Sequence, residues 1–134
     1  DDLSKQQKEL VEEIFKPISK VCELPEEQLD AFLSLTSSGP AYVALISEAL
    51  ADGAVAAGLP RHLANEFTPL TLEGTALLLK QKGLHPGELK DMVASPAGTT
   101  IRALRHLEKE GVRSAFIEAV VLAAKKSREM GLRN

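Results

Sequence analysis

Residues 41–57, AYVALISEALADGAVAA, decide the fold because they are apolar on nearly every side of a helix and include seven alanines. A helix with apolar residues all round has to be covered by neighbours on most sides. Alanine side chains let those neighbours approach closely. The sequence therefore predicts a central, buried helix with other helices packed around it.

The segments before the central helix also have helical features. Ser4 and Gln7 match a capping box for a helix over residues 5–16. Pro25 suits the first position of a short second helix. Residues 18–23 lie between the two helices, and we expect them to be extended.

The segment after the central helix is predicted to be a long helix. Gly58 ends the central helix, and Pro60 opens a periodic apolar pattern that continues to Gly83. Pro69 lies inside this pattern and has no backbone N–H to donate. We therefore predict a kink between residues 65 and 69.

Three further helices are predicted in the last third of the chain. His85 precedes a Pro-Gly pair and marks the start of a short helix. A second helix is predicted from Ile101 to Gly111, and a last one from Ser114 to Gly131. No stretch alternates strictly enough to predict a strand, so the fold class is all-α, with about seven helices.

Length and composition predict one helical domain over residues 1–134. Hydrophobic residues make up 44% of the chain and aromatic residues 4%, so the core has to be built from aliphatic side chains. Several helices have more apolar surface than one layer of neighbouring helices can cover. We therefore expect a compact multi-helix bundle that interlocks with a second copy as a homodimer, or assembles into a higher oligomer.

Charge and cysteine content exclude several classes of protein. The net charge of −3, without a basic block, argues against a nucleic-acid partner. Cys22 is the single cysteine, which excludes an internal disulfide and the usual zinc clusters. Glu48 and Asp52 interrupt the most apolar run, residues 41–59, so a membrane span is not expected. We expect a soluble, cytoplasmic protein.

A short polar loop, residues 95–100 (SPAGTT), is the strongest candidate site. Gly98 allows a ligand to approach the backbone, and Ser95, Thr99 and Thr100 bring hydroxyl groups. Because a helix is predicted to begin at Ile101, unpaired N–H groups would face the loop and favour a small anion. The same residues also fit an ordinary helix N-cap, so the motif alone leaves both interpretations open.

Other chemistry-bearing residues give weaker signals. Glu48 and Asp52 share one helix face and could serve acid–base chemistry or a metal, but no third ligand stands at suitable spacing. The three histidines, His62, His85 and His106, lack a metal-ligand spacing, and we expect His85 to cap its helix.

The remaining candidates are interpreted as structural. We expect Cys22 and Tyr42 to be packing groups, and Asp91 to bind the backbone of the polar loop. No two glycines stand two positions apart, so the chain has no G-x-G-x-x-G phosphate loop. We therefore expect no dinucleotide cofactor to be bound by this chain.

Five motifs, in this order and spacing, resemble pyrroline-5-carboxylate reductase. Taken together they are highly specific, and the resemblance covers essentially the whole chain, most strongly residues 38–126. The motifs are residues 38–42 (SGPAY), 48–53 (EALADG), 58–61 (GLPR), 85–91 (HPGELKD) and 95–101 (SPAGTTI).

The resemblance implies the C-terminal helical dimerisation domain of an oxidoreductase. The family reduces 1-pyrroline-5-carboxylate to L-proline, the last step of proline biosynthesis, with NADPH or NADH held by an N-terminal Rossmann domain. That domain is absent from residues 1–134, so we expect this fragment alone to be inactive and to bind no cofactor.

The resemblance also implies roles for the polar loop. Ser95, Gly98, Thr99 and Thr100 would hold the substrate carboxylate, and Thr100, as the catalytic residue, would stand near the ring nitrogen. Two residues depart from the family pattern. Ala97 stands where the family usually has a glycine, so a positive φ would be strained there, and Ser37 replaces a common glycine.

Two other functions remain open at this point. The chain could be a stand-alone helical dimerisation or scaffold module whose loop binds no substrate. A metal-dependent acid–base enzyme using Glu48 and Asp52 has less support. An upstream G-x-G-x-x-G motif in the parental reading frame would distinguish the reductase from the scaffold.

Overall fold

The fold is known from a computed structural model that describes residues 3–131. These residues contain seven α-helices, one 3-10 turn at Glu26–Gln28 and no strand, which confirms the all-α class. The helices are α1 (Lys5–Phe15), α2 (Leu29–Thr36), α3 (Gly39–Ala56), α4 (Arg61–Lys82), α5 (Pro86–Val93), α6 (Thr99–Lys109) and α7 (Val112–Gly131).

The predicted capping box at the start of α1 is confirmed. The Gln7 N–H donates to Ser4 Oγ at 3.3 Å, and the Ser4 N–H donates to Gln7 Oε1 at 2.7 Å. The helix ends at Phe15, one residue earlier than predicted. Residues 18–23 are outside any helix, as predicted, but they form no strand.

Glycine ends three of the helices where the sequence predicted it. Gly58, Gly83 and Gly111 all have positive φ, at 104°, 63° and 72°. Glycine adopts this conformation without a steric penalty, which is why it terminates helices. The last helix begins at Val112, two residues before the predicted Ser114. The predicted stop after Gly131 concerns residues 132–134, which lie outside the described residues.

Helix α4 runs through Pro69 as one continuous helix. Pro69 therefore does not break the element, because the neighbouring turns maintain helical geometry around the missing N–H. The kink at residues 65–69 stays a prediction.

Long-range packing is carried by four pairs of helices. α2 packs against α7 and α3, α3 packs against α4, and α6 packs against α7. Two polar contacts accompany this packing. Arg128 Nε lies 3.4 Å from Asp30 Oδ2, and the Tyr42 hydroxyl donates to the Ala119 carbonyl at 3.4 Å.

The described chain buries very little of its apolar surface. The buried apolar residues are Ala51, Ala64 and Leu89, and Ser34 and Thr68 are the buried polar ones. The predicted burial of the central helix is therefore wrong for a single chain: Ala51 is the one buried residue of α3. Few helices are near enough to cover α3, and its other faces remain exposed.

The exposed surface is also too large for a compact monomer of this size. The chain of 14.4 kDa exposes 11073 Å², whereas a folded monomer of that mass exposes about 6,800 Å². The excess of about 4,000 Å² is of the size that obligate subunit interfaces bury. The helices of one chain thus form an open assembly with room for a second.

One stretch, Glu26–Ala56, is long and apolar enough to pass a membrane-span criterion, with a mean hydropathy of 1.2. In the structure it is divided at residues 37–38 into α2 and α3. Because α2 and α3 fold against each other, the stretch is not one spanning helix. The core helix of a water-soluble protein meets the same criterion, so this stretch does not indicate a membrane protein.

Candidate functional site

The polar loop contains a tight turn over residues 95–98. The Gly98 N–H donates to the Ser95 carbonyl oxygen at 3.1 Å, which closes the turn. Pro96 occupies the second position, and Ala97, at the third, has a φ of 58°. Proline followed by a residue with positive φ is the pattern of a type II turn, where glycine is favoured at the third position. The strain that we predicted for a positive φ at Ala97 is therefore present.

Gly98 is required for space rather than for an unusual backbone angle. Its φ and ψ of −72° and 179° are open to any residue. A Cβ placed there, however, would lie 2.3 Å from Ser95 Oγ and 3.2 Å from the Ser95 carbonyl oxygen. Glycine thus allows the Ser95 hydroxyl to lie directly against the backbone that leads into α6.

Helix α6 begins at Thr99, two residues before the predicted Ile101, and Gly98 is its N-cap. Because Gly98 has no side chain, no side-chain hydrogen bond caps this helix. The N–H groups of its first turn have no partner within the helix and carry the positive end of the helix dipole. The loop therefore joins free N–H donors to the hydroxyls of Thr99 and Thr100, which suits a carboxylate or a phosphate.

The four predicted site residues do not all face the same space. Thr100 lines a groove of about 530 Å³ between α4, α5 and α6, which we call the Thr100 groove. Ser95, Gly98 and Thr99 are not part of its lining. The walls of the groove are mainly apolar and come from Leu70, Leu78, Leu79, Leu89, Val93 and Leu104. A small ligand on the loop would thus meet polar donors at one end and aliphatic side chains beyond Thr100.

Lys90 is a residue of this region that the sequence analysis did not single out. It lines the Thr100 groove and also a second groove that contains Glu108 and Arg113. Its ammonium group lies 2.9 Å from Asp91 Oδ1. The signal was present in the motif HPGELKD, but only the structure shows that this cation borders the same groove as Thr100.

A bidentate ion pair joins the end of α6 to the start of α7. Arg113 Nε donates to both carboxylate oxygens of Glu108 at 3.2 Å. This hydrogen bonding holds the pKa of Glu108 below its usual range, and the charges of Arg113 and Lys90 act in the same direction against desolvation. It also raises the pKa of Arg113. The pair spans the Gly111 corner between the two helices.

The prediction for Asp91 is wrong and the one for His85 is confirmed. Asp91 pairs with Lys90 and makes no side-chain hydrogen bond to the loop among residues 3–131. An adjacent cation competes successfully for an exposed carboxylate. His85 Nδ1 accepts the Gly87 N–H at 3.1 Å and so caps α5.

The packing interpretation holds for Tyr42 but not for Cys22. Tyr42 is half-buried and bonds across to α7. Cys22 is exposed, because residues 18–23 have little structure around them to cover it. At the alternative acidic site, Asp52 pairs with Arg61 at 2.6 Å. Within the described part of the chain, no group of three or more His, Cys, Asp or Glu is placed to hold a metal ion.

Comparison with known proteins identifies the family. The family model described as pyrroline-5-carboxylate reductase dimerisation matches residues 26–130. The chain is 52% identical over 118 residues to the pyrroline-5-carboxylate reductase of Synechocystis, covering 88% of this chain and 44% of the relative. It is 49% identical over 121 residues to the enzyme of Glycine max, covering 90% and 44%. The chain thus spans about half the length of the curated relatives it matches.

Solved structures agree with the sequence matches. A Plasmodium falciparum pyrroline carboxylate reductase with NADP bound superposes with a TM-score of 0.90 at 32% identity, covering 98% of this chain and 50% of that one. The enzyme from Coxiella burnetii gives a TM-score of 0.89 at 34% identity, covering 96% and 48%. The resemblance derived from the five motifs is confirmed, and the chain belongs to the pyrroline-5-carboxylate reductase dimerisation family.

Proposed function

We propose that this chain is the C-terminal, dimerising part of a reductase that converts 1-pyrroline-5-carboxylate to L-proline with hydride from NADPH or NADH. The observation that carries the proposal is the family match over residues 26–130, which includes the whole polar loop. The identity of about 50% to named reductases supports it. The reaction belongs to a cytoplasmic, soluble enzyme of proline biosynthesis.

The polar loop is proposed to bind the substrate carboxylate. The N–H groups at the start of α6 would donate to one carboxylate oxygen, and the hydroxyls of Ser95, Thr99 and Thr100 would donate to the other. Gly98 keeps this approach open because a side chain there would occupy the space of the Ser95 hydroxyl. Binding by the carboxylate orients the ring so that its imine carbon can face the hydride donor.

Thr100 is the proposed catalytic residue. It is the residue of the loop that lines the groove, so its hydroxyl can stand beside the ring nitrogen while the ring carbons lie against aliphatic side chains. Reduction adds a hydride to the imine carbon and a proton to the nitrogen. The cofactor supplies the hydride. Thr100 would hold the nitrogen, or a water molecule bonded to it, in position for the proton.

The cofactor itself would be bound outside this chain. The sequence contains no G-x-G-x-x-G loop, and the free N–H groups of α6 are assigned to the substrate. We therefore infer that the hydride donor is held by another part of the complete enzyme. The 134-residue chain alone should bind neither NADPH nor NADH.

The partner of the chain is proposed to be a second copy. The large exposed apolar surface supports this, and so does the dimerisation family to which the chain belongs. A stand-alone dimerisation or scaffold module is the alternative function, because the large exposed apolar surface would serve association without catalysis as well. An upstream G-x-G-x-x-G strand–turn–helix in the parental reading frame would support the reductase.

Substitution of Thr100 in the complete enzyme tests the catalytic role. We expect Thr100→Ala to lower kcat while the oligomeric mass from light scattering stays unchanged. Thr36→Ala is the matched control, because Thr36 is exposed on α2 and bonds only to the Phe32 carbonyl of its own helix. Equal kinetics for the two variants would remove Thr100 from the mechanism.

Experiments on the isolated chain test whether dimerisation resides in residues 1–134 and cofactor binding resides elsewhere in the complete enzyme. We expect purified residues 1–134 to form dimers and to show no oxidation of NADPH at 340 nm in the presence of pyrroline-5-carboxylate. Measurable turnover would contradict the proposal. A crystal structure of the chain with L-proline should place the carboxylate at the start of α6.

A further inference from the structure

Helix α6, which follows the polar loop, has a basic face. Four basic residues lie on one side of this helix, and they are Arg102, Arg105, His106 and Lys109. The helical repeat places them opposite Leu104 and Leu107, which line grooves on the packed side of the helix. Such a separation of polar and apolar sides is typical of a helix that keeps one side in water.

The basic face should stay in water in the assembled protein as well. A second copy would cover apolar surface, whereas burial of a guanidinium group without an acidic partner costs free energy. Neither Arg102 nor Arg105 forms an ion pair within the part of the chain that the structure describes. The charge of these residues, and not their exposure in a single chain, is the reason to expect a solvated face.

The positive charge of the basic face is concentrated in the half of α6 that adjoins the polar loop. At the far end of the helix, Glu110 Oε1 lies 3.9 Å from Lys109 Nζ and offsets its charge. Among residues 3–131, no acidic side chain pairs in this way with Arg102 or Arg105. The two arginines therefore leave an excess of positive charge beside the loop.

Arg102 lies where a helix normally favours an acidic residue. It is the fourth residue of α6, and the helix dipole disfavours cations near the N-terminus. The first turn of α6 contains no acidic residue, and Gly98 caps the helix without a side-chain hydrogen bond. The local sequence thus raises the positive potential at the start of α6 at the expense of helix stability.

Both arginines are near enough to act on an anion at the start of α6. With a rise of about 1.5 Å per residue, Arg102 and Arg105 lie about 4.5 Å and 9 Å along the axis from Thr99. Lys109 lies about 15 Å along the axis. Since salt screens charges over about 8 Å at physiological ionic strength, the arginines act within roughly one screening length and Lys109 does not.

We propose that Arg102 and Arg105 form an electrostatic guide that draws the carboxylate of the substrate to the polar loop. The guide attracts the anion before it binds, so it raises the efficiency of capture and leaves the chemical step unchanged. Because the net charge of the chain is −3, this local excess of cations counters repulsion of an anion by the rest of the molecule. The guide rests on the proposed function, since it requires a loop that binds a carboxylate.

Steady-state kinetics of the complete enzyme test the electrostatic guide. NADPH is kept saturating, and pyrroline-5-carboxylate is varied at alkaline pH, where its imine is uncharged. Two unit charges about 10 Å from the anion in water predict that Arg102→Gln combined with Arg105→Gln lowers kcat/KM about fourfold at low ionic strength. The kcat should not change, and the difference from the native enzyme should disappear at high salt.

Lys109→Gln is the matched control for the single variant Arg105→Gln. Each substitution removes one positive charge from the same face of α6, but Lys109 is farther from the loop and is paired with Glu110. We expect Arg105→Gln to lower kcat/KM about twofold at low ionic strength and Lys109→Gln to leave it nearly unchanged. Circular dichroism and light scattering check the folding and the oligomeric mass of each variant.

Four results would overturn the electrostatic guide. They are equal kcat/KM for the native enzyme and the double variant at low salt, an equal fall for Lys109→Gln and Arg105→Gln, a fall that persists at high salt, and a smaller oligomeric mass of the double variant. The last result would show that the arginines instead pair across the subunit interface.

The salt dependence of the native enzyme decides the question if the double variant does not fold. Its kcat/KM should fall as the ionic strength rises, and a constant value would overturn the electrostatic guide. A native enzyme that does not reduce pyrroline-5-carboxylate would overturn the proposed function and the guide together. Normal native turnover combined with any of the contrary results would overturn the guide alone.

Discussion

Ala97 is the residue of the polar loop whose backbone conformation is least favourable for its side chain. It is the non-glycine residue with positive φ among residues 3–131, and it occupies the turn position that favours glycine. A Cβ in the left-handed region costs about 1–2 kcal/mol. The type II turn is nevertheless formed, because Pro96 and the hydrogen bond from Gly98 to Ser95 enforce it.

Replacing Ala97 by glycine should stabilise the protein. Glycine removes the steric cost but loses more entropy on folding, so we expect a net gain of about 1 kcal/mol. Urea denaturation measures the change. Ala103→Gly on the exposed side of α6 is the control, because the same substitution in a helix interior should cost about 1 kcal/mol. A lower stability for Ala97→Gly would show that the turn is not strained.

The ionisation of Glu108 should make the stability of the folded chain depend on pH. Its pKa is lowered in the folded chain, so folding favours the ionised form. The contribution is complete above the ordinary value of 4.5 and is lost as the pH falls through the lower folded pKa. When the pH falls from 5 to 3, we expect the thermal unfolding midpoint of the Glu108→Gln variant to fall less than that of the native chain. Parallel pH profiles for the two proteins would contradict this.

At the scale of single helices, ends are specified by local hydrogen bonding. The Ser4–Gln7 box starts α1, His85 caps α5, and Gly58 and Gly83 end α3 and α4. Each of these signals acts within four residues, so each could be recognised in the sequence. The start of α6 was misplaced by two residues because glycine, rather than a hydroxyl side chain, occupies its N-cap.

Removing the cap of α1 should loosen only that helix. We expect Ser4→Ala to cost α1 about 1 kcal/mol of local stability, seen as faster amide exchange over residues 5–9. Ser114→Ala on the exposed surface of α7 is the matched control and should change nothing. Exchange that is equally fast in both variants would show that the box does not hold α1.

At the scale of the whole molecule, the large exposed apolar area explains why a single chain is not expected to be stable on its own. Among residues 3–131, the buried apolar residues are only Ala51, Ala64 and Leu89, which is far below what a stable domain needs. Leu45 and Leu50 of the central helix are more than half exposed, at 62% and 51%. Most of the hydrophobic stabilisation must therefore come from contacts that a single chain does not make.

The stability of the protein should consequently depend on its concentration. If folding and association are coupled, the thermal midpoint rises as the protein concentration rises. Calorimetry over a hundredfold range of concentration, with sedimentation equilibrium for the mass, measures both quantities. A midpoint independent of concentration, with a monomeric mass, would contradict the dimer.

The sequence by itself determined the all-α class, most helix ends, the family and the strained position of Ala97. These features depend on periodicity, capping and turn chemistry within a few residues, or on motifs read in order. The tertiary structure alone decided three features. They are the position of Lys90 beside the Thr100 groove, the Glu108–Arg113 pair and the exposure of α3. The groove and the exposure of α3 depend on which helices meet across long separations, and no pattern within one helix specifies its neighbours. The Glu108–Arg113 pair joins residues only five apart, but it depends on how the Gly111 corner places the ends of α6 and α7.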